Sequence, residues 1–562
     1  MKEEIFKAPA DYKNVNTFQL NFPYTCSVSS LPKTLILKEE ETSTTIKDIT
    51  LTLTTSKGGQ DKGKVTVFKV DVNLGNMDEE TEEETGLYIP FNDDDDNSDT
   101  IPDYQQHPVE GEDDLREVVL SCVPPDLPDT FTLSWGSNIK LWENTNKETE
   151  ITRTTYTSDQ LPETYYAEGI NPSSSVKDTE IKLTYTAPDG TYSEDKTKQT
   201  VVEVNLEIDN LSEEAEVETG SYIFLNWDDD NNNDVCDMNE TGTVEGEDDV
   251  IPFVLSIIPT NINQGIVELS APGGSSKIKV WTGSTKGTQI TLPKRWDLSE
   301  GETVPSTLYV EGVEKSGNER DVRLRLKYTN TTEEITQDEI KITVVNLKLG
   351  YAVYREKVWE NLYISYNHSG LIGEYIGTRS LHDITDFSNY VVYDMQRTGM
   401  RITSLDTFTT ENPPCYGAGT TDYVRTHPNV KNKILKTLKY LYSCGIQYPS
   451  EIPPYAIEVA GVPPLNTGFR YSLDDISHLR CDGLVEVCYE YNNAMVWGWN
   501  SQYYDILLYL ENHNDRPDLT EDPYTELSPK AQRGGFLNDS TNLYIEYPGG
   551  NYPYEPWTLH IP

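Results

Sequence analysis

Three stretches of the chain alternate apolar and polar residues with period two: ITLTLTT (49–55), IKLTYT (181–186) and VRLRLKYT (322–329). That alternation predicts strands with one buried face, and β-branched residues and Tyr, which favour pleated surfaces, dominate them. Each stretch ends a longer shared piece: TLILKEEETSTTIKDITLTLTT (34–55), TYYAEGINPSSSVKDTEIKLTYT (164–186) and TLYVEGVEKSGNERDVRLRLKYT (307–329). A polar turn then leads into a Val-rich strand: VTVFKVDVNL, TVVEVNLEI or ITVVNLKL. The period is about 130–140 residues, the size of a whole domain rather than of a solenoid unit. Tandem antiparallel β-sandwiches are the natural solution to this pattern. They resemble bacterial immunoglobulin-like modules in architecture.

The pattern changes near residue 348. VKNKILKTLKYLYSCG (430–445) places Ile434, Leu435, Leu438, Leu441 and Tyr442 at helical spacing, with Lys on the other face. CDGLVEVCYEYNN (481–493) reads as a second, mostly buried helix, and the strand-like LYISYNHSGLIGEYI and NYVVYDM precede both. The fold class expected is multidomain: tandem antiparallel sandwiches followed by an α+β domain. The expected domains are a partial sandwich at 1–74, sandwiches at 75–205 and 206–347, and the α+β domain at 348–562. Residues 1–74 read as the end of a repeat, so the natural N-terminus is expected upstream.

Charge sharpens the division. Acidic residues number 94 against 45 basic, a net of −49, and 68 of the acidic against 29 of the basic lie before residue 348. A field of that sign repels phosphate backbones, which excludes a nucleic-acid binder. It suits divalent cations. No run approaches the ~20 apolar residues of a membrane span, and an extracellular or cell-surface location is expected. The seven cysteines are sparse and form no CxxC pair, so neither a disulfide framework nor a structural zinc site is expected.

Two acidic loops recur in the repeats. VNLGNMDEETEEETGLYIPFNDDDDNSDTIPD (72–103) matches VNLEIDNLSEEAEVETGSYIFLNWDDDNNNDVCD (204–237), and both lead to VEGEDD, at 109–114 and 244–249. In the second, Asp228, Asp230, Asn232 and Asp234 alternate and Asp237 comes next; in the first, Asp94, Asp96, Asp99 and Asp103 are the candidates. Calcium takes six to eight hard oxygens, and such a loop supplies them at EF-hand-like spacing. The bidentate Glu of an EF-hand is absent, Asn239 standing in its place, so another carboxylate, for instance from VEGEDD, has to close the site. Ca2+ is therefore a candidate in both loops, with none needed for catalysis.

In the last domain, Cys481 opens an apolar helix in RCDGLVEVCYE (480–490). A helix N-terminus favours a thiolate and can hold an oxyanion. His368, in its strand beside Ser369 and Gly370, is the attractive base, and Asp394 in VVYDM is its candidate orienting group. The order of histidine strand, polar strand and nucleophile helix resembles the circularly permuted papain-like fold of YiiX-like and lecithin retinol acyltransferase-type proteins, relatives of the NlpC-type cell-wall peptidases. LGYAVYR (349–355), NHSGLIGEYI, VVYDM with GMRITSLDTF (399–408), and RCDGLVEVCYE carry it, over roughly 348–510. The resemblance implies a cysteine hydrolase with Cys481 as nucleophile, His368 as general base and acid, and Asp394 as third member. It implies an amide or ester substrate, with peptidoglycan peptides leading. Arg480-Cys481-Asp482-Gly483 departs from the usual Asp-Cys-Ser-Gly at both flanks. The competing expectation is a non-enzymatic surface or adhesion protein stiffened by calcium.

Overall fold

The computed structural model describes residues 41–54, 58–74, 86–94, 101–109, 114–330, 334–359, 364–411, 415–448, 457–459, 470–471, 473–492, 494, 509–510 and 543–548. It is dominated by antiparallel sheet, and the chain divides near residue 203 into two compact units.

In the first unit, one sheet runs in the order Lys69–Leu74, Arg116–Val123, Glu163–Gly169, Ile139–Trp142. The facing sheet contains Thr179–Thr186 between Thr130–Trp135 and the strand Tyr192–Ile208, whose Gln199–Val202 pairs in parallel with Leu87–Pro90. Alternate residues of both sheets, among them Val72, Leu120, Phe131, Leu141, Leu183 and Val201, close one core. The expected sandwich boundary at 74 is corrected: Lys69–Leu74 hydrogen-bonds to Arg116–Val123 and so is the first strand of this sandwich. The boundary at 205 likewise falls inside the strand Tyr192–Ile208.

The second unit opens with a sandwich of the same design. Ser221–Phe224 pairs in parallel with Ile342–Val345, and Val322–Thr329 lies between Glu334–Val345 and Ile266–Gly273. The other sheet contains Ile251–Ile258, Thr307–Gly312 and Ile278–Trp281. This sandwich and the C-terminal region share a core: Tyr222, Val345 and Leu347 pack with Val353, Ile372, Val392 and Phe408.

The C-terminal region is built on a six-stranded antiparallel sheet. Its strands are β1 (Ala352–Trp359), β2 (Ile364–Tyr375), β3 (Tyr390–Gln396), β4 (Gly399–Ser404), β5 (Cys415–Thr421) and β6 (Leu543–Pro548), in the order β4-β3-β2-β1-β5-β6. Helix α1 (Leu405–Thr410) covers one face together with the sandwich residues of the shared core. Helices α2 (Pro428–Ser443) and α3 (Cys481–Glu490) cover the other; Leu438 of α2 stands over Gly373, and α3 packs along β2. Both expected helices form. Among the described residues no helix is long and apolar enough to cross a membrane.

Candidate metal centre and the C-terminal polar cluster

The loop after Phe224 is shaped by Asp229. Its carboxylate accepts from the backbone N–H of Asn233 at 2.9 Å and of Asp234 at 2.9 Å, curling the chain back so that Asp237 N reaches Asp228 O at 2.8 Å. Asn232 and Asp234 take the left-handed conformation in this curl, at φ 57° and 67°, which Asn and Asp tolerate best. The curl turns Asp228, Asp230 and Asp237 inward, where their oxygens lie within 4.8 Å of one another. Asp248 and Asp249, from the VEGEDD segment, bring their oxygens within 4.8 Å of Asp228. These carboxylate clusters could hold a metal ion.

The electrostatics point the same way. Burial, followed by repulsion from Asp230, Asp248 and Glu247, pushes Asp228 up to about 7. Burial does the same to Asp237, and burial together with Asp248 raises Asp230 to about 6. Asp249 is pushed well above the carboxylate range by burial and the same neighbours. Asp228 Oδ1, Asp230 Oδ2 and Asp237 Oδ1 are buried without a hydrogen-bond partner. Unpaired buried carboxylate oxygens are costly, and a cation among them removes the cost.

Two expected ligands stand apart. Asn232 and Asp234 are exposed on the outside of the curl, and Asp234 lies 3.9 Å from both Lys433 and Lys436. Strict alternation along the loop does not survive because the left-handed residues rotate the chain between Asp230 and Asp237. Asp248 and Asp249 complete the set instead. In the first sandwich Asp103 N donates to Asp94 O at 2.8 Å, as in the second, while Asp96 and Asp99 lie outside the described residues.

Behind each loop sits a buried frame. Glu311 accepts from Asn226 Nδ2 at 2.8 Å and Trp281 Nε1 at 2.9 Å, and pairs with Lys286 at 2.8 Å; Lys286 also donates to Asp237 O. In the first sandwich Glu168 accepts from Asn92 Nδ2 at 2.8 Å and Trp142 Nε1 at 2.8 Å, and pairs with Lys147 at 2.6 Å, which donates to Asp103 O. Both Lys–Glu pairs are fully buried. The sequence carries a signal for this frame in the repeated Trp-x4-Lys and Glu-Gly steps. The glycines are required: a Cβ at Gly169 or Gly312 would sit 2.3 Å from Pro90 O or 2.6 Å from Phe224 O.

The second loop also docks onto α2. Lys436 reaches Asp229 at 2.6 Å, Asn432 Nδ2 donates to Trp227 O at 2.5 Å, Cys236 N donates to Asn429 Oδ1 at 2.5 Å, and Lys431 Nζ stands 3.9 Å over the Trp227 ring.

In the C-terminal sheet, His368 Nε2 lies 2.7 Å from Asp394 Oδ2, and the pair is buried. Burial opposes ionisation of Asp394, but hydrogen bonds from His368 and Arg401 outweigh it and hold the carboxyl below its usual range. Arg401 also binds Glu411, holding it down at about 2, and the buried Arg355 lies 2.9 Å from Glu411 and 4.5 Å over the Phe408 ring. His368 packs against Phe408, with ring centroids 5.8 Å apart.

Of the expected triad, His368 and Asp394 come together, and Cys481 is placed apart from them. The Cys481 thiol lies beside Ser369, the residue after His368. The ladder between β1 and β2 is regular through this point, pairing Arg355 with His368 and Tyr354 with Ser369. Successive strand residues point to opposite faces. His368, Asp394 and Arg355 therefore share the α1 face, whereas Cys481 lies with Ser369 and Tyr354 on the α3 face. Burial, then the neighbouring Asp482, pushes the thiol up to about 11, the reverse of an activated thiolate.

No protein-family model matches the chain, and no curated protein does. Among solved structures it is similar to a tetra-tandem repeat from the extending region of a large adhesion protein, at 9% identity over 58% of this chain and 69% of that one, TM-score 0.16. It is similar also to a beta-glycosidase from Bacteroides vulgatus, at 12% identity over 42% of this chain and 24% of that one, TM-score 0.12. Likenesses this slight carry no functional argument.

Proposed function

We propose that the chain is a non-catalytic surface or adhesion protein whose sandwiches are stiffened by calcium bound in their acidic loops. One observation carries this reading: five carboxylates from two separate segments converge in the second sandwich, with Asp237 Oδ1 buried and unpartnered. Oxygen-only donors select a hard cation such as Ca2+ over zinc or copper. The repeated Glu168–Lys147 frame extends the reading to the first sandwich. Modules of this kind bind at ~10⁻⁴–10⁻³ M, which suits the calcium level outside a cell. What favours this reading over a cysteine hydrolase is that the Cys481 thiol lies beside Ser369 and is pushed up to about 11 by burial.

Terbium luminescence and urea unfolding test it. Tb3+ is expected to bind and to be displaced by Ca2+, and 1 mM Ca2+ is expected to raise the urea midpoint. Asp237→Asn and Asp228→Asn are expected to remove the second loop's share of the luminescence and leave that of the first loop. If the wild-type midpoint and luminescence ignore calcium, the reading fails.

A further inference from the structure

A cleft of about 640 Å³ lies in the second unit between the sandwich and the C-terminal sheet. Asp248 and Asp249 form part of its wall, and these are two of the carboxylates of the candidate metal centre. Asp237 closes the centre on the protein side, fully buried. Asp248, on the cleft side, is exposed. A cation held by Asp228, Asp248 and Asp249 would thus sit beside the stretch of cleft wall that the last two residues form.

The rest of the cleft is mixed. Arg379 enters it with one arm of its guanidinium on Asp209, while Nη1 is buried with no partner. Ser221 lines it with its hydroxyl already donated to Asp209, and half-buried Phe224 adds apolar lining. We infer that this cleft is a binding site for a neutral polyhydroxyl ligand, a saccharide with vicinal hydroxyls, that completes the coordination of the bound cation. The inference rests on the calcium reading above.

Charge decides the ligand class. Asp209, Asp248 and Asp249 line the cleft against the single guanidinium of Arg379, so its charged wall is mostly carboxylate and disfavours a further anion. An ammonium ligand has no lone pair for the cation and meets the Arg379 guanidinium. A vicinal diol adds two neutral oxygens to an ion that takes six to eight. The Phe224 ring offers an apolar face to the C–H side of a sugar.

Saturation-transfer NMR on the full chain tests this with mannose, fucose, galactose and glucose, each with Ca2+ and with EDTA. At least one sugar is expected to bind in Ca2+ and to lose its signal tenfold or more in EDTA. Thr219→Trp, at an exposed position on the cleft wall, is expected to abolish sugar binding while Tb3+ luminescence stays as in the wild type. Sugar binding unchanged by EDTA, or by Thr219→Trp, overturns the inference. Silence from all four sugars, with Tb3+ bound normally, overturns it and leaves the calcium reading standing. Absence of Tb3+ binding overturns both.

Discussion

The two sandwiches carry the same frame and different surroundings. Asn92, Trp142, Lys147 and Glu168 in the first reproduce Asn226, Trp281, Lys286 and Glu311 in the second, with hydrogen bonds of matching length. The frame therefore belongs to the repeat. The docking onto α2 does not. Position 227 is Trp, under the Lys431 ammonium, where the first loop has Asp93. Position 236 is Cys, whose N–H donates to Asn429, where the first loop has Pro102, which has no N–H. Two residue changes distinguish a loop that holds a neighbouring domain from one without these groups.

The comparison can be broken most severely at the lysines. Lys286→Met leaves Glu311 and the Asp237 carbonyl buried without their cation, a loss of about 3–5 kcal/mol, and Lys147→Met is expected to cost the first sandwich the same. Urea unfolding followed separately through Trp281 and Trp142 fluorescence would read both; a large loss in only one sandwich would mean that the frames are not equivalent.

A change of pH comes next. With no ion bound, Asp228 at about 7 and Asp230 at about 6 take up protons in the folded state at a pH where the unfolded chain, near 3.8, does not. The folded state then binds more protons, so stability falls as pH rises. The metal-free second sandwich is expected to gain stability as pH drops from 7 to 5, and saturating Ca2+ is expected to abolish that gain. Urea midpoints at three pH values, with Ca2+ or EDTA, would show a flat metal-free profile if the carboxylates are solvated.

The smallest effect is the docking itself. Asn432→Ala removes the donor to Trp227 O and is expected to cost about 1–2 kcal/mol, seen as faster proteolysis between the second sandwich and the C-terminal sheet. Pro102→Ala, at the first loop's counterpart of Cys236, is expected to leave proteolysis unchanged there.

Much of the architecture is legible in the sequence. The period-two runs at 181–186 and 322–329 mark sandwich strands, whereas Ile49–Thr54 pairs with Gln60–Val65 in a two-stranded, largely exposed sheet; helical spacing marks α2, and the doubled acidic run marks the loops. The VEGEDD segment is visible as a source of closing carboxylates, though which of its residues turn inward depends on the left-handed curl at Asn232 and Asp234. The Lys–Glu frame escapes sequence reading because a lysine after a turn looks solvated; only the recurrence of Trp-x4-Lys hints otherwise. The place of Cys481 escapes sequence reading for a different reason. β2 is buried on both faces around His368 and Ser369, so no polar alternation says which residue faces the helix that brings Cys481. His368 and Asp394 share a face and can be paired from their strands; Cys481 cannot be placed by any local pattern.

The buried Lys–Glu pairs have a consequence for heat. Hydration of charged groups becomes less favourable as temperature rises, so withdrawing Lys147, Glu168, Lys286 and Glu311 from water costs less in a hot solution than in a cold one. Each sandwich is thus held by an element whose relative contribution grows on warming, beside an apolar core whose contribution per unit area levels off.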